Sequence, residues 1–453
     1  MKNKLLEMMF EHDRWQSLIE HADEKGINLA LLKQMCNPQV RIMLYNAIKN
    51  EQYEIMPPHE IEIPKGDGTM RLVYANEDQD RILCTLITDC VMELFSDLIH
   101  PSCVSYQKGI GTQEIVQRIS KKIVKLNKDN NEKPIGFVSD FTKFFDRVTI
   151  DKIDEVFDIW ESRLGFEYGT EPVINMLRKY YHSTLYIDIN GMVQNKYLSL
   201  RQGCALAAPL SCMVLYELDE FMSSKYDLYY RYSDDCLTIN SDTSEIIDDI
   251  NSICVKYGTV LNPKKIKPVY ANTWFKFLGF LICNDQITLS KNRVKKFTKA
   301  IYDATLAKPN ITPKQAKENV KRVLYGTGDG YSWATACFSA MQNCDKDIET
   351  LNNFVMDALR LCEVYYNYNK ERKEKGLKTK KIKISYRKSL ELLGGIGVVT
   401  NLPDRTLIRG KGSKVRTCRE RTEKEIEYYY SINCLLKCYK LSKPIYEACV
   451  RGM

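Results

Sequence analysis

The chain of 453 residues has no histidine beyond His182, no cysteine pair in the C-x-x-C spacing and no internal repeat. His12, His21, His59 and His100 are scattered over the first half, and the nearest cysteines are Cys434 and Cys438, so no zinc site is predicted. No run of about 18 apolar residues occurs, which excludes a membrane-spanning helix and predicts no membrane partner. The N-terminus reaches Glu7 before any apolar stretch of signal-peptide length forms. These absences predict a reducing, cytoplasmic setting in which the 16 cysteines serve mostly as small core hydrophobes.

The length allows at least two cores, and the net charge of +8 is unevenly placed. Between Lys370 and Lys424 there are 18 Lys/Arg against 6 Asp/Glu, a surplus of +12, so the rest of the chain carries 8 − 12 = −4. That basic tract is interleaved with Tyr386, Leu390, Leu392, Leu393, Ile396 and Val398. The interleaving suggests a folded surface facing a polyanion, and a merely solvated face is the plainer alternative.

Along the chain, residues 1–55 read as helical, with Leu5, Leu6, Met9, Phe10, Trp15, Leu18 and Ile19 at helical spacing. A hairpin over Pro57 to Tyr74 turns at Gly66-Asp67-Gly68 and carries Lys65 and Arg71 on its arms. Helices are predicted from Asp80 to about Ile99 and after the Gly-rich turn Ser105 to Thr112. Ile135 to Asp140 reads as a buried strand ending in an acid, either a helix cap or a metal ligand. Residues 147–182 read as helical, Tyr186 to Gln194 as a hairpin about Asn190-Gly191, and Arg201-Gln202-Gly203 as a turn into an apolar helix. Tyr229 to Ile239 reads as a hairpin with Ser233 to Asp235 at its tip. Its adjacent carboxylates form either a solvated turn or a cation site, because like charges that close are costly without a counter-ion. A lysine-rich turn at Leu261 to Lys267, strands about Gly279 and helices from Lys291 to about Tyr368 follow.

Taken in order, the basic hairpin, Asp140-x-x-x-Phe-Phe-Asp146, Arg201-Gln202-Gly203, Tyr232-Ser233-Asp234-Asp235, the lysine turn and Phe277-Leu278-Gly279-Phe280 resemble the reverse transcriptases over about Pro57 to Ile282. Ile63-Pro64-Lys65, Gly68, Arg71-Leu72 and Ser105-Tyr106-x-x-Gly109 resemble the bacterial branch of group II intron, retron and phage-defence enzymes. The resemblance implies an α+β right-hand polymerase with fingers, an antiparallel-sheet palm, a helical thumb and a basic C-terminal appendage. The corresponding lobes are an N-terminal helical extension at 1–55, fingers at 56–134, palm at 135–285 with an insertion at about 147–185, thumb at 286–370 and the basic region at 371–453.

The implied function is RNA-directed DNA synthesis from deoxynucleoside triphosphates, templated by a structured non-coding RNA, giving a DNA product and serving anti-phage defence. Two Mg²⁺ ions, with Mn²⁺ as a substitute, would be held by Asp140, Asp234, Asp235 and the backbone carbonyl of Phe141, since nucleotide addition depends on positioning and charge neutralisation. Asp146 is read as structural. Lys65 and Arg71 would hold the triphosphate, Phe145 would exclude a 2′-hydroxyl, Gln202 would contact the incoming nucleotide and Lys265 would protonate the leaving pyrophosphate. Phe277 and Gly279 match the primer grip, and Arg405, Arg409, Lys411, Lys414, Arg416, Arg419 and Arg421 would hold RNA or the template-primer duplex through phosphates.

Four positions depart from the family pattern: Ala207 and Ala208 where Ser-Pro is common, Ser233 where Ala is usual, and Ile266 in place of Thr. The lack of histidine after His182 argues against a histidine-dependent HNH nuclease domain and so against a mobile-intron enzyme. Template-independent or protein-primed polymerisation and a non-catalytic RNA-binding scaffold are the alternatives. Oligomeric state is not readable from the sequence.

Overall fold

The computed structural model describes residues 4–64, 69–107, 109–126, 133–307, 311–326 and 332–378, together with two short strands, Leu407–Arg409 and Val415–Thr417. The chain divides into two compact units, residues 1–108 with 134–269 and residues 109–133 with 270–453. It is an α+β protein in which antiparallel pairing dominates the sheets.

In the first unit, four strands form an antiparallel sheet in the order Leu228–Tyr232, Asp235–Ile239, Gly136–Asp140, Lys267–Val269. The side chains alternate as a half-buried sheet demands: Tyr229 and Arg231 face inward while Leu228, Tyr230 and Tyr232 are less covered. Helix Asp78–Phe95 buries Ile82, Leu83, Cys84, Leu86, Ile87, Cys90 and Val91, so apolar side chains surround most of it and it serves as a core element. Helices Ile150–Leu164 and Pro172–His182 add Phe157, Trp160 and Tyr181 to the same core, with Phe95 stacked on Trp160 at 5.4 Å. The N-terminal region forms four helices, Lys4–Met9, His12–Glu20, Leu29–Met35 and Pro38–Lys49, which bury Leu5, Leu6, Trp15 and Leu32.

A second sheet in this unit has the order Met70–Ala75, His59–Pro64, Leu185–Ile187, Val193–Asn195. Its pairs are antiparallel except for the contact His59 to Ile187, which is parallel. The basic hairpin and the Asn190-Gly191 hairpin thus share one sheet.

In the second unit, strands Phe275–Phe277, Phe280–Cys283 and Gln286–Leu289 form a three-stranded antiparallel sheet. Helix Thr112–Leu126 packs on the last two of these strands with Ile115, Val116, Ile119 and Ile123 buried. Ser120 Oγ donates to the Asn284 carbonyl at 2.7 Å and strengthens that contact. Residues 56–134, expected together as fingers, are therefore divided: the apolar stripe of 112–126 finds its partner in strands beyond residue 280. Helices Lys291–Thr305, Pro313–Tyr325 and Asp345–Glu374 pack against one another and follow the helical expectation. Among the described residues no helix is long and apolar enough to cross a membrane.

Candidate active site

Sheet register brings the acids together. Asp140 ends its strand directly opposite Asp235, and Asp235 pairs across the hairpin with Tyr232. The hairpin tip is the two-residue loop Ser233-Asp234, one residue shorter than the sequence predicts, because Asp235 already belongs to the strand. Ser233 has φ +56 and is the first tip residue. A positive φ at that position alone is the type II′ pattern, whose twist suits a two-residue hairpin but which disfavours any side chain beyond glycine.

The backbone locks this corner further. The Phe141 amide donates to the Asp234 carbonyl at 3.2 Å, and the Asn262 amide donates to the Asp140 carbonyl at 2.8 Å. Phe141 pairs with Leu261 through its neighbours' groups, Thr142 to Val260 and Asn262 to Asp140, so its own carbonyl stands outside that ladder.

Charge at the corner is only partly balanced. Lys265 Nζ donates to Asp140 Oδ2 at 2.7 Å, with the lysine 55% exposed and the aspartate 14%. Burial, and then the charge of Asp140, push the Asp234 carboxyl above the ordinary aspartate range, while Lys265 and Arg71 pull it back. An excess of negative charge at the end of a sheet is an environment that a divalent cation relieves. Among the described residues no three His, Cys, Asp or Glu side chains are grouped so as to hold a metal ion between them. Mg²⁺, however, takes one or two protein carboxylates and completes its shell with phosphate oxygens and water, so the donors present suit an open cation site.

The remaining expected contacts in this unit lie close by. Phe145 sits in the short helix Phe144–Arg147, entered through Lys143 at φ +50, and meets Phe144 edge-on at 5.4 Å. Its carbonyl accepts from the Leu200 amide at 3.1 Å, which ties it to the Arg201-Gln202-Gly203 corner. That corner docks on the basic hairpin: the Gln202 carbonyl accepts from the Tyr74 amide at 2.7 Å. Gly203 has φ +121, and a Cβ there would stand 2.7 Å from the Tyr74 carbonyl oxygen, so glycine is required for both reasons. Arg201 at the same corner is buried, donates to the Ser183 carbonyl and stacks on the Tyr180 ring at 4.0 Å.

Residues 63–282 match the family model described as reverse transcriptase (RNA-dependent DNA polymerase). Over that stretch the chain is similar to a reverse transcriptase domain. No curated protein matches the sequence. Among solved structures it is similar to telomerase from Candida albicans in complex with a TWJ fragment of telomeric RNA, at 13% identity, TM-score 0.37, covering 77% of this chain and 62% of that one. It is also similar to apo telomerase from Candida tropicalis, at 13% identity, TM-score 0.41, with 76% and 63% covered. A C-terminally truncated form of the latter gives 16% identity, TM-score 0.37, with 54% and 58% covered. The chain thus spans about three fifths of the length of those telomerase chains.

Within residues 63–282, Asp140, Phe141, Asp234, Asp235 and Lys265 meet at one corner, Arg71 lies within electrostatic reach of Asp234, and Phe145 and Gln202 are held by backbone bonds to Leu200 and Tyr74. Phe277 and Gly279 lie in the second unit, where Leu278 and Gly279, at φ +48 and +79, form the hairpin turn between buried Phe277 and Phe280. Lys65, Arg405, Lys411, Lys414, Arg419 and Arg421 lie outside the described residues. Arg409 and Arg416 lie on the paired strands Leu407–Arg409 and Val415–Thr417.

Sequence reasoning gave no role to Arg231 or Asp219, and it named Ser105 only within the Ser105-Tyr106-x-x-Gly109 motif. A signal for the first existed: period-2 alternation places Arg231 on the core side of its strand with Tyr229, and a buried guanidinium needs an acid. Asp219 supplies it, with Nε to Oδ1 at 2.7 Å and Nη2 to Oδ2 at 2.6 Å, both side chains being 0% exposed.

Proposed function

We propose that the chain is an RNA-directed DNA polymerase adding deoxynucleotides to a primer on an RNA template. The observation that carries this reading is the meeting of Asp140 with the Ser233 to Asp235 tip at one sheet corner, with Lys265 and Arg71 as the nearby cations. Asp140, Asp234, Asp235 and the Phe141 carbonyl would hold two Mg²⁺ ions, or Mn²⁺ in their place, which when bound supply neutralisation of the attacking and leaving oxygens of an in-line displacement.

The chain's own residues then have separate tasks. Arg71 and Lys65 hold the triphosphate, and Gln202 contacts the incoming nucleotide. Phe145, with its ring braced by Phe144, excludes a 2′-hydroxyl. Lys265 exchanges Asp140 for the pyrophosphate and delivers its proton. Phe277 and Gly279 belong to a primer grip, and the basic cluster from Arg405 to Arg421 holds a structured non-coding RNA through its phosphates. The likeness of Ile63-Pro64 and Ser105-Tyr106 to the bacterial branch favours a retron-like or anti-phage enzyme acting in the cytoplasm.

The test is incorporation of deoxynucleotides on primed RNA by the purified chain with Mg²⁺. Replacing Asp234 and Asp235 together by alanine is expected to abolish it while RNA binding persists, and unchanged incorporation would overturn the assignment. Phe145→Ala is expected to admit ribonucleotides, raising their relative use about 10-fold or more. Sequencing the nucleic acid that copurifies with the chain tests the non-coding RNA and the defence role. A second reading, protein-primed polymerisation, is favoured by Ala207-Ala208 at the start of helix Ala207–Met213. Product that stays bonded to protein after nuclease and denaturant treatment would select it.

A further inference from the structure

Behind the Tyr232 to Asp235 hairpin lies a dry polar cluster that none of these roles uses. Arg231 is fully buried, and its guanidinium donates to Asp219 twice, to the Ser211 carbonyl at 3.1 Å, to the Cys212 carbonyl at 2.8 Å and to the Ser233 carbonyl at 3.1 Å. All five N–H groups of the fork are engaged. On the other side of the same tip residue, the Ser233 amide donates to Ser105 Oγ at 3.1 Å. Ser105 is itself 0% exposed and within 3.3 Å of both Cys103 Sγ and Cys212 Sγ. The segment that carries it runs alongside the hairpin strand, with the Arg231 amide donating to the Ser102 carbonyl and the Val104 amide to the Arg231 carbonyl, each at 2.8 Å.

We propose that Ser105 and Arg231 are positioning residues that hold Ser233 in its positive-φ conformation and thereby aim Asp234 at the cation site. The proposal rests on the polymerase reading for the role of Asp234. Ser233 occupies a backbone region that costs a serine free energy, at φ +56, and it does so with both of its peptide groups captured by buried partners: the amide by Ser105, the carbonyl by Arg231. Neither capture depends on the hairpin's own ladder. Rotation of the peptide between Ser233 and Asp234 would break the bond from Arg231 and leave a buried donor unpaired, so the tip has one low-energy arrangement. Arg231 acts from the dry side, and Asp219 fixes its plane.

The experiment uses the full chain in four forms: wild type, Ser105→Ala, Arg231→Lys, and Ser105→Ala combined with Ser233→Gly. Three quantities are read beside the melting temperature. They are hydrogen exchange of the peptide spanning Ser233 in metal-free protein, Mn²⁺ binding by electron paramagnetic resonance, and the kcat and KM for deoxynucleotide on primed RNA. In Ser105→Ala the melting temperature is expected to stay near wild type while exchange at the tip speeds about 10-fold, Mn²⁺ binding weakens several-fold and kcat falls about 10-fold with KM within about 2-fold. Glycine adopts positive φ without help, so Ser233→Gly in that background is expected to restore about a third or more of the lost kcat. Arg231→Lys is expected to lose about 100-fold in kcat, and if it does not fold the serine variants decide alone.

Wild-type exchange and Mn²⁺ binding in Ser105→Ala would overturn the proposal, as would a kcat loss that glycine fails to rescue. A wild-type chain with no incorporation would instead remove the polymerase reading, while exchange and Mn²⁺ binding would still judge the positioning of the tip.

Discussion

The two sides of the Tyr232 to Asp235 hairpin follow opposite electrostatic rules. On the rear, Arg231 and Asp219 are both 0% exposed and every guanidinium donor has a partner. On the front, Asp140 and Asp234 stand together with their charge only partly met by Lys265, which is 55% exposed, and by Arg71. A satisfied buried pair sets geometry and has nothing left to offer a ligand. An under-compensated pair of acids is costly when both are ionised, and on the proposed reading it is what would draw a cation. Mutations on the two sides are therefore expected to separate activity from stability.

The largest effect is expected at the front. Asp234→Asn removes a proposed ligand and a buried like charge together, so kcat is expected to fall about 10³-fold or more while the metal-free melting temperature holds or rises. Single-turnover incorporation and calorimetry check the two halves, and a large drop in melting temperature would break the contrast. At the rear, Asp219→Asn leaves Arg231 with an uncompensated buried charge and is expected to cost about 3–5 kcal/mol, read from the denaturation midpoint. A cost near zero would mean that the pair contributes no more than an exposed ion pair.

Smaller effects sharpen the picture. Lys265→Met removes an exposed partner of Asp140, so stability is expected to change by less than about 1 kcal/mol, while the chemical step slows about 10- to 100-fold. The smallest effect lies in helices Ile150–Leu164 and Pro172–His182, where Arg178 binds Asp154, Asp158 and Glu161, and the neighbouring Glu171 is buried at the head of the second. Burial, with Glu161 adding a like charge, pushes the Glu171 carboxyl up to about 7. A carboxyl raised in the folded state stabilises the fold when protonated, and that contribution is lost as pH rises through about 7. Glu171→Gln keeps an acceptor for the Ile174 amide, so it is expected to raise the melting temperature at pH 8 and change it little near pH 4. Equal melting temperatures for the two proteins across that range would show that Glu171 does not titrate there.

Much of the front was legible in the residues themselves. Asp140 at the end of an apolar strand, the adjacent Asp234 and Asp235, Lys265 in its lysine turn and Gln202 before Gly203 are local signals, because strand ends, turns and glycines announce themselves over a few residues. The hairpin boundary was off by one residue, since Asp235 pairs with Asp140 and joins the ladder. The rear was not legible as a pair. Arg231 and Asp219 are separated by a helix end and a strand, and nothing in either local pattern names the other. Helix Thr112–Leu126 shows the same limit: its amphipathic stripe is plain, but the strands beyond residue 280 that it covers are far away in sequence.

The sequence by itself determined the set of acids, their order, the alternation that makes the strands and the family to which residues 63–282 are matched. These are properties of residue type and short spacing. Only the tertiary structure decided that Lys265 rests on Asp140, that Ser233 is held at positive φ by Ser105 and Arg231, and that Gly203 lies against the Tyr74 carbonyl. Each of those depends on distant segments meeting at hydrogen-bond distance, and packing sets such meetings through the whole core at once.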